Sequence, residues 1–238
     1  MYMQDTASIE RNAVVDRTAS LSQIFQLCPT ETVAAGKVIC WEGDDASHLF
    51  QVVKGVVRLQ RIIGEGRRVI TSFLFPGDLV GAALQETYLF TAEAVSEAKV
   101  RRISCKSFHE EVSRSERLRP EYISLLSGEM ASAQEQMVLL SKKNAEERLC
   151  SFVLWLTERS PRLTDNVLTV PMNRQDIADY LGLTIETVSR TISKLAARHV
   201  LSPVGRHDLK ICSHEKLTQL SGNPGDFSEK TCHRVNLH

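Results

Sequence analysis

The pattern of hydrophobic and polar positions changes twice along the chain. Between Val33 and Ile103, short apolar runs are separated by glycines, which is typical of strands joined by turns. The runs are Val38–Trp41, Leu49–Val53, Val56–Leu59, Val69–Leu74 and Val100–Ile103, and the glycines between them are Gly36, Gly43, Gly55, Gly64, Gly66, Gly77 and Gly81. Short strands at this spacing predict a compact β-sandwich or barrel, which could act as a structural scaffold or as a small-molecule sensor.

Between about Arg119 and Leu140 the pattern takes the period of an α-helix. Steps of three and four residues place these apolar side chains on one stripe: Leu118, Tyr122, Leu125, Leu126, Met130, Ala133, Met137 and Leu140. Pro120 is tolerated because it falls in the first turn. Such a stripe either packs on its own domain or joins two copies of the helix.

A third pattern begins at Asn173, where two short helices are joined by a glycine. Ala178 is small where the helices must approach closely, Gly182 follows four residues later at the turn, and Val188 comes six residues after that. The other apolar contacts are Ile177, Leu181, Leu183 and Ile192. This spacing predicts a helix-turn-helix with Ala178, Gly182 and Val188 at its core, whose second helix enters the major groove of DNA.

The second helix carries polar side chains at the positions that read bases. Glu186, Arg190, Lys194 and Arg198 recur every four residues, a pattern that also fits a solvated row of ion pairs. Glu186, Ser189 and Arg190, however, lie in the first two turns, where a recognition helix meets base edges. Arginine can bind guanine through two hydrogen bonds, a carboxylate accepts from the cytosine amino group, and serine serves several partners. We therefore predict that these three residues read bases.

Residues around this helix are candidates for contacts with the DNA backbone. Thr184 is a good N-cap for a helix that runs to about Arg198. Val200–Leu201 and Leu209–Ile211 flank the turn Gly205–Asp208, which predicts a β-hairpin wing. The predicted phosphate contacts are Thr184, Thr187, Lys194 and Arg206, with Lys210 as a further candidate.

Length and charge set outer limits on this interpretation. The 238 residues are enough for one or two domains, and the formal net charge is zero. Residues 143–221 carry 11 Lys and Arg against 9 Asp and Glu, with the cations concentrated on and after the recognition helix. Such a modest patch suffices if two subunits bind one palindrome and sum their binding energies. This favours a dimer interface on the long helix, formed by Leu126, Met130, Ala133, Met137 and Leu140.

Other classes of protein find little support in the sequence. No apolar run has membrane-spanning length, and the N-terminus lacks a signal-peptide hydrophobic region, so a cytoplasmic protein is expected. The six cysteines, Cys28, Cys40, Cys105, Cys150, Cys212 and Cys232, form neither a Cys-x-x-Cys pair nor a zinc-like cluster. We expect thiols, with Cys150 in the core. There is also no nucleotide-binding loop or recognisable Ser/His/Asp signature, so no enzyme activity is predicted.

Three motifs carry a resemblance to a known family. Pro76–Gly81, Leu140–Leu149 and Tyr180–Arg190, in this order, resemble the CRP/FNR family of bacterial transcription regulators over about residues 20–220. The resemblance implies an α+β fold with an N-terminal double-stranded β-roll, a long dimerisation helix and a C-terminal winged helix-turn-helix. The expected boundaries are 1–20 for a mobile N-terminus, 21–115 for the β-roll, 116–142 for the helix, 143–221 for the DNA-binding domain and 222–238 for a flexible tail.

The resemblance also implies a target and partners. Glu186, Ser189 and Arg190 are similar to the FNR-type set Glu-x-x-Ser-Arg, which implies TTGAT-like half-sites in an inverted repeat. A homodimer bound to this palindrome would contact RNA polymerase, with the loop Gln85–Phe90 as one candidate surface by analogy.

Some residues that are typical of the family are missing from this chain, and their absence indicates which subgroup it resembles. FNR holds an iron–sulfur cluster with N-terminal cysteines and one in the β-roll, whereas this chain has only Cys28 before the first strand and Arg101 at the β-roll position. Gly81–Ala94 lacks the Glu and Arg-Ser of a cAMP phosphate cassette, and a haem would need His48, His109 or a cysteine as ligand. No cofactor or metal is predicted. The chain is most similar to the FixK subgroup, which activates genes of microaerobic respiration and nitrogen fixation; the alternative is a regulator controlled by a β-roll ligand or by cysteine oxidation.

Overall fold

The computed structural model describes residues 20–82, 85–159, 165–205 and 207–222. The chain forms two compact units, one reaching to Gln134 and the other running from Glu135 and including Arg67–Ile70. The expected mobile N-terminus (1–20) and flexible tail (222–238) lie outside the described residues except for Ser20 and Gly222, and so does Arg206.

The N-terminal half of the chain contains two four-stranded sheets, as the glycine-separated apolar runs predict. The strands are β1 (Thr30–Val33), β2 (Val38–Cys40), β3 (His48–Lys54), β4 (Val57–Ile63), β5 (Arg67–Leu74), β6 (Leu79–Val80), β7 (Thr91–Ala94) and β8 (Ala98–Ser104). Their order is β1-β8-β3-β6 in one sheet and β2-β7-β4-β5 in the other. Short 3₁₀ turns occupy Phe25–Leu27 and Gly64–Gly66.

The core of this unit lies between the two sheets. Inward-facing side chains of both sheets and Tyr88, from the segment between β6 and β7, form one buried cluster: Cys40, Phe50, Val52, Val57, Leu59, Val80, Tyr88, Ala92, Ala94, Ala98 and Val100. Gly55 allows the turn between β3 and β4, because its φ is +84° and a Cβ there would lie 2.4 Å from the Glu97 carbonyl oxygen. The predicted strand at Val38–Trp41 ends one residue early, and Trp41 is exposed.

A helical layer closes a second core in the same unit. Helix α1 (Leu21–Ile24) precedes the strands, and α2 (Cys105–Arg114) follows β8 directly. The Ser104 hydroxyl caps α2 by accepting a hydrogen bond from the Ser107 N–H at 3.1 Å. The long helix α3 (Leu118–Lys142) begins on this core, where the rings of Phe108 and Tyr122 meet edge to face at 5.5 Å.

The second unit combines helices with a small sheet. After the last turns of α3 come α4 (Ala145–Arg159), α5 (Arg174–Leu181), α6 (Ile185–Ala197) and α7 (His214–Leu220). Strands β9 (Val167–Thr169), β10 (Leu201–Val204) and β11 (Asp208–Ile211) form an antiparallel sheet in the order β10-β11-β9. Hairpin β10–β11 is the predicted wing, whereas β9 was not predicted. Cys150 is fully buried, as expected.

Among the helices that the structure describes, none combines the length and the apolar composition needed to span a bilayer.

Candidate nucleic-acid interface

The first helix of the predicted helix-turn-helix has defined ends. At the start of α5, the Asn173 side chain accepts a hydrogen bond from the Asp176 N–H at 2.8 Å, and the Asp176 carboxylate accepts from the Asn173 N–H at 3.3 Å. At its end, Gly182 has a φ of +61°, and its N–H donates to the Ala178 carbonyl. The left-handed backbone at Gly182 turns the chain toward α6, as the spacing predicts.

The two helices pack through the residues that the sequence assigned to their contact. Ala178 and Val188 are completely buried, together with Ile177, Leu181 and Ile192 on the same side of the pair. A small side chain at position 178 lets the helices approach closely. Burial of this face fixes which side of α6 points to solvent.

The N-terminus of α6, the predicted recognition helix, is capped by Thr184. The Thr184 hydroxyl accepts from the Thr187 N–H at 3.2 Å and lies 3.1 Å from the Thr187 hydroxyl. The first N–H groups of a helix lack intrahelical partners and the helix dipole is positive there, so this end favours an anion. Thr184 and Thr187 therefore lie where a DNA phosphate could be bound.

The predicted base-reading residues share the exposed face of this helix. Glu186, Ser189 and Arg190 are all exposed in its first two turns, and Ile185 lies beside them with 37% of its surface accessible. The pKa of Glu186 is lowered by hydrogen bonds from its own backbone N–H and from the Thr184 hydroxyl, so it is ionised at neutral pH. A carboxylate, a hydroxyl and a guanidinium are thus presented together to solvent.

Ile185 is a member of this surface that the sequence did not reveal. It lies three residues before Val188 and seven before Ile192, on the side of the helix that usually packs inward. The structure instead leaves it accessible next to Glu186. An exposed apolar side chain here can contact the methyl group of a thymine.

The second half of the predicted charged row is already paired within the protein. The Lys194 ammonium and the Arg198 guanidinium each lie 2.5 Å from a carboxylate oxygen of Glu146 on α4. These hydrogen bonds, the one from Lys194 foremost, lower the pKa of Glu146. The row on α6 therefore divides into accessible Glu186 and Arg190 and a pair of cations held by α4. A phosphate at Lys194 would have to compete with Glu146.

Among the described residues of the wing, Lys210 is a further accessible cation. Val204 pairs with Asp208 across the hairpin, and Gly205 adopts a φ of +67° in the turn. Lys210 is exposed on β11. Arg206, the predicted phosphate contact at the tip, lies outside the described residues.

The apolar stripe of α3 separates into a covered part and an exposed part. Leu118 and Tyr122 are buried in the core of the first unit, and Leu125 and Leu126 pack partly against it. Farther along, Met130, Met137 and Leu140 are 65%, 68% and 38% exposed. Ile123, absent from the predicted stripe, is 62% exposed.

Six residues of α3 follow a heptad repeat, and all of them except the partly buried Leu126 are exposed. Ile123, Met130 and Met137 are seven residues apart, and Leu126, Ala133 and Leu140 follow each of them by three. This is the spacing of a helix that pairs with another helix. We call these six residues the α3 stripe.

The loop between β6 and β7 lacks the positive charge that a nucleotide phosphate would need. The Tyr88 side chain is buried in the core between the sheets and donates a hydrogen bond to the His48 carbonyl at 2.7 Å. The same loop carries Glu86 and, from Gly81 to Phe90, has no Lys or Arg to neutralise a phosphate. A buried phosphate needs compensation of its charge, and this loop carries no cation to supply it.

Cysteine and histidine offer no metal centre in the part of the chain that the structure describes. No three His, Cys, Asp or Glu side chains come together there in a metal-binding group. Burial raises the pKa of the Cys40 thiol to about 11 and that of Cys150 to about 12, so both are protonated at neutral pH.

Comparison with known proteins agrees with this architecture. Residues 147–220 match the Crp-like helix-turn-helix domain family, and residues 30–115 match the cyclic nucleotide-binding domain family. A nitrogen fixation regulation protein FixK from Azorhizobium caulinodans is 38% identical over 203 residues, 82% of this chain and 81% of that protein. The fumarate and nitrate reduction regulatory protein of Yersinia pestis is 34% identical over 196 residues, 81% of this chain and 78% of that protein. The structure of FixK2 from Bradyrhizobium japonicum superposes with a TM-score of 0.78 at 30% identity, covering 82% of this chain and 97% of that one.

Together, the two-sheet domain, the long helix and the accessible face of α6 define a DNA-binding regulator of the helix-turn-helix class. The chain belongs to the CRP/FNR family of transcription regulators, and FixK proteins are among its most similar relatives. These relatives are regulators rather than enzymes. The α+β fold expected from the sequence is confirmed.

Proposed function

We propose that this protein is a homodimeric transcription activator of the FixK/FNR type that binds an inverted repeat of TTGAT-like half-sites. The observation that carries the proposal is the joint exposure of Glu186, Ser189 and Arg190 at the N-terminal end of α6. In this arrangement the Arg190 guanidinium binds a guanine, and the Glu186 carboxylate accepts from a cytosine amino group. Ile185 contacts a thymine methyl group beside them.

Backbone contacts position this helix in the groove. Thr184 and Thr187 bind a phosphate at the N-terminus of α6, and Lys210 binds one from the wing. Arg206 is a further proposed phosphate contact. The Lys194 ammonium gives up its ion pair with Glu146 and binds another phosphate. These contacts carry no sequence information but make the affinity depend on salt.

The homodimer forms through the α3 stripe. Its exposed apolar side chains would be covered by the same stripe of a second copy, as in a two-stranded helical pair. Two recognition helices related by a twofold axis then read the two halves of a palindrome. One recognition helix reaches few bases, so the second one supplies the affinity needed to find a promoter.

Support for the regulatory assignment comes from the relatives. The FixK proteins of Azorhizobium caulinodans and Rhizobium meliloti are named for the regulation of nitrogen fixation, at 38% and 35% identity. By that similarity, the target genes belong to microaerobic respiration or nitrogen fixation, and the protein works in the cytoplasm with RNA polymerase as partner. The loop Gln85–Phe90 is one polymerase-facing surface, since Leu89 is 49% exposed there.

A binding titration tests the proposal. The purified chain is titrated into a labelled duplex with the inverted repeat and, separately, into a duplex with the same bases scrambled. At moderate salt we expect the inverted repeat to bind at least about 10³-fold more tightly, the lower end of the usual specificity range. Equal affinity for the two duplexes would refute the proposed target.

A further inference from the structure

Arg148 joins the ends of two helices to each other. From the first turns of α4, its Nε donates a hydrogen bond to the Lys143 carbonyl at 2.8 Å, and its Nη2 donates to the Leu140 carbonyl at 2.8 Å. Its Nη1 lies 2.8 Å from the Leu181 carbonyl oxygen and 3.5 Å from that of Gly182. All of these residues belong to the second unit. One guanidinium therefore ties the end of α3 to the turn that leads into α6.

The chemistry of the joint requires a forked cation. The last carbonyls of a helix have no intrahelical donor, and the helix dipole makes this end negative. Here two such ends, those of α3 and α5, converge on one side chain. Arginine carries five N–H donors in a fixed plane, whereas lysine has a single nitrogen and cannot reach both ends with the same geometry.

Two further contacts hold the same joint. The Gln136 side-chain amide of α3 donates to the Tyr180 carbonyl of α5 at 2.9 Å. A Cβ on Gly182 would lie 3.4 Å from both the Leu140 side chain and the Arg148 guanidinium, so the turn packs closely against them. The start of α6 is thereby fixed relative to the last turns of α3.

We infer that Arg148 is a positioning residue that sets the distance between DNA half-sites which the dimer accepts. This inference rests on the proposed function, because it needs two subunits paired through α3. If α3 forms the dimer and Arg148 fixes α6 on its end, the two recognition helices are held at one separation. One added base pair moves a half-site by about 3.4 Å and turns it by about 35° around the duplex, so a rigid joint tolerates few spacings.

The test is a spacing series. Duplexes carry two half-sites whose centres are separated by about one helical turn, varied in single base-pair steps, together with a duplex carrying one half-site. The full-length chain is compared with Arg148→Met and Arg148→Lys. Arg159→Met is the matched control, since it removes an arginine of the same helix that lies over Trp155 instead.

We expect the wild type and Arg159→Met to lose about tenfold in affinity one base pair from the best spacing. Both Arg148 variants should lose less than about threefold, with affinity for the single half-site unchanged. If Arg148→Lys kept the wild-type dependence of affinity on spacing, the several donors of the guanidinium would not be needed and their proposed role would be overturned. An Arg148→Met profile equal to that of the wild type, or an equally flat Arg159→Met profile, would overturn the inference.

A milder variant covers the case in which the Arg148 variants fail to fold. Gln136→Leu removes the hydrogen bond to the Tyr180 carbonyl and should also reduce the loss of affinity at non-optimal spacings. A cooperative thermal unfolding transition confirms that this variant is folded. An unchanged profile for this variant would then overturn the inference. Failure of the proposed function is distinguishable, because in that case the wild type itself would show no preference for any inverted repeat.

Discussion

The substitution Met137→Glu tests the dimer interface of α3 most sharply. Met137 lies at the end of the heptad repeat and is 68% exposed, so most of its apolar surface is available for burial by a partner. Glutamate is compatible with a helix and keeps a similar length, but it places a charge against its own copy across a twofold axis.

The structure sets the size of the expected effect. Full burial of a methionine side chain contributes about 1.5–3 kcal/mol, so the two-thirds still exposed correspond to about 1–2 kcal/mol. Two copies meet in one dimer, which gives about 2–4 kcal/mol, or a rise in the dimer dissociation constant of between about 30-fold and several hundred-fold. Repulsion between the two introduced carboxylates adds to this value.

Sedimentation equilibrium over a range of protein concentrations measures the dissociation constant. Ser132→Glu is the matched control, because it adds the same charge to an exposed position of the same helix outside the α3 stripe. We expect the control to dimerise like the wild type. Equal dissociation constants for Met137→Glu and the wild type, or equal weakening by both substitutions, would refute the assignment of the interface.

Three further substitutions, the last of them paired with a control in α3, test the recognition helix and its support. Arg190→Ala should weaken specific binding by about 1–3 kcal/mol and relax selectivity at one base pair; unchanged discrimination in competition titrations would contradict its role. Glu146→Gln frees Lys194, so the salt dependence of binding should steepen by about 0.9 per subunit, and an unaltered slope would count against a phosphate contact there. The lowered pKa of Glu146 also means that the stability it contributes is present above the ordinary glutamate pKa of about 4.3 and is lost as the pH falls through the lowered value. Gly182→Ala should destabilise the fold by about 1–2 kcal/mol in urea unfolding, because φ is +61° there. Gly128→Ala, inside α3 and facing open space, should instead stabilise it by about 1 kcal/mol, and effects of the same sign would contradict the argument.

The helix-turn-helix was predictable because its determinants are local. Ala178 indicates a close approach of two helices because it is small. Gly182 indicates a turn because glycine adopts the left-handed conformation, and Thr184 indicates a helix start because threonine is a good N-cap. The structure places all three as expected. The wing was predictable for the same reason, since a short turn fixes its hairpin.

Strands that depend on distant partners were missed. The residues of β1 are largely polar and exposed, and those of β7 are small, so neither forms an apolar run. β1 becomes a strand because it pairs with β8, and β7 because it pairs with β2 on one side and β4 on the other. Pairing across many residues contributes hydrogen bonds that no local pattern reveals.

The periodicity of the sequence could not predict which side chains of other helices contact the helix-turn-helix. The row from Glu186 to Arg198 looks uniform in sequence. In the structure, however, its last two cations, Lys194 and Arg198, form ion pairs with Glu146 of another helix. Arg148 likewise appears in sequence as one charge among several, and its position between two helix ends depends on the tertiary fold. Such contacts are set by packing rather than by spacing.

Selection of bound duplexes from a random pool tests whether this protein reads an inverted repeat. The full-length protein is mixed at moderate salt with duplexes of random sequence, and the retained fraction is amplified and sequenced over several rounds. We expect enrichment of an inverted repeat with TTGAT-like halves at one preferred separation. Enrichment of an unrelated or unsymmetrical sequence, or no enrichment at all, would contradict it.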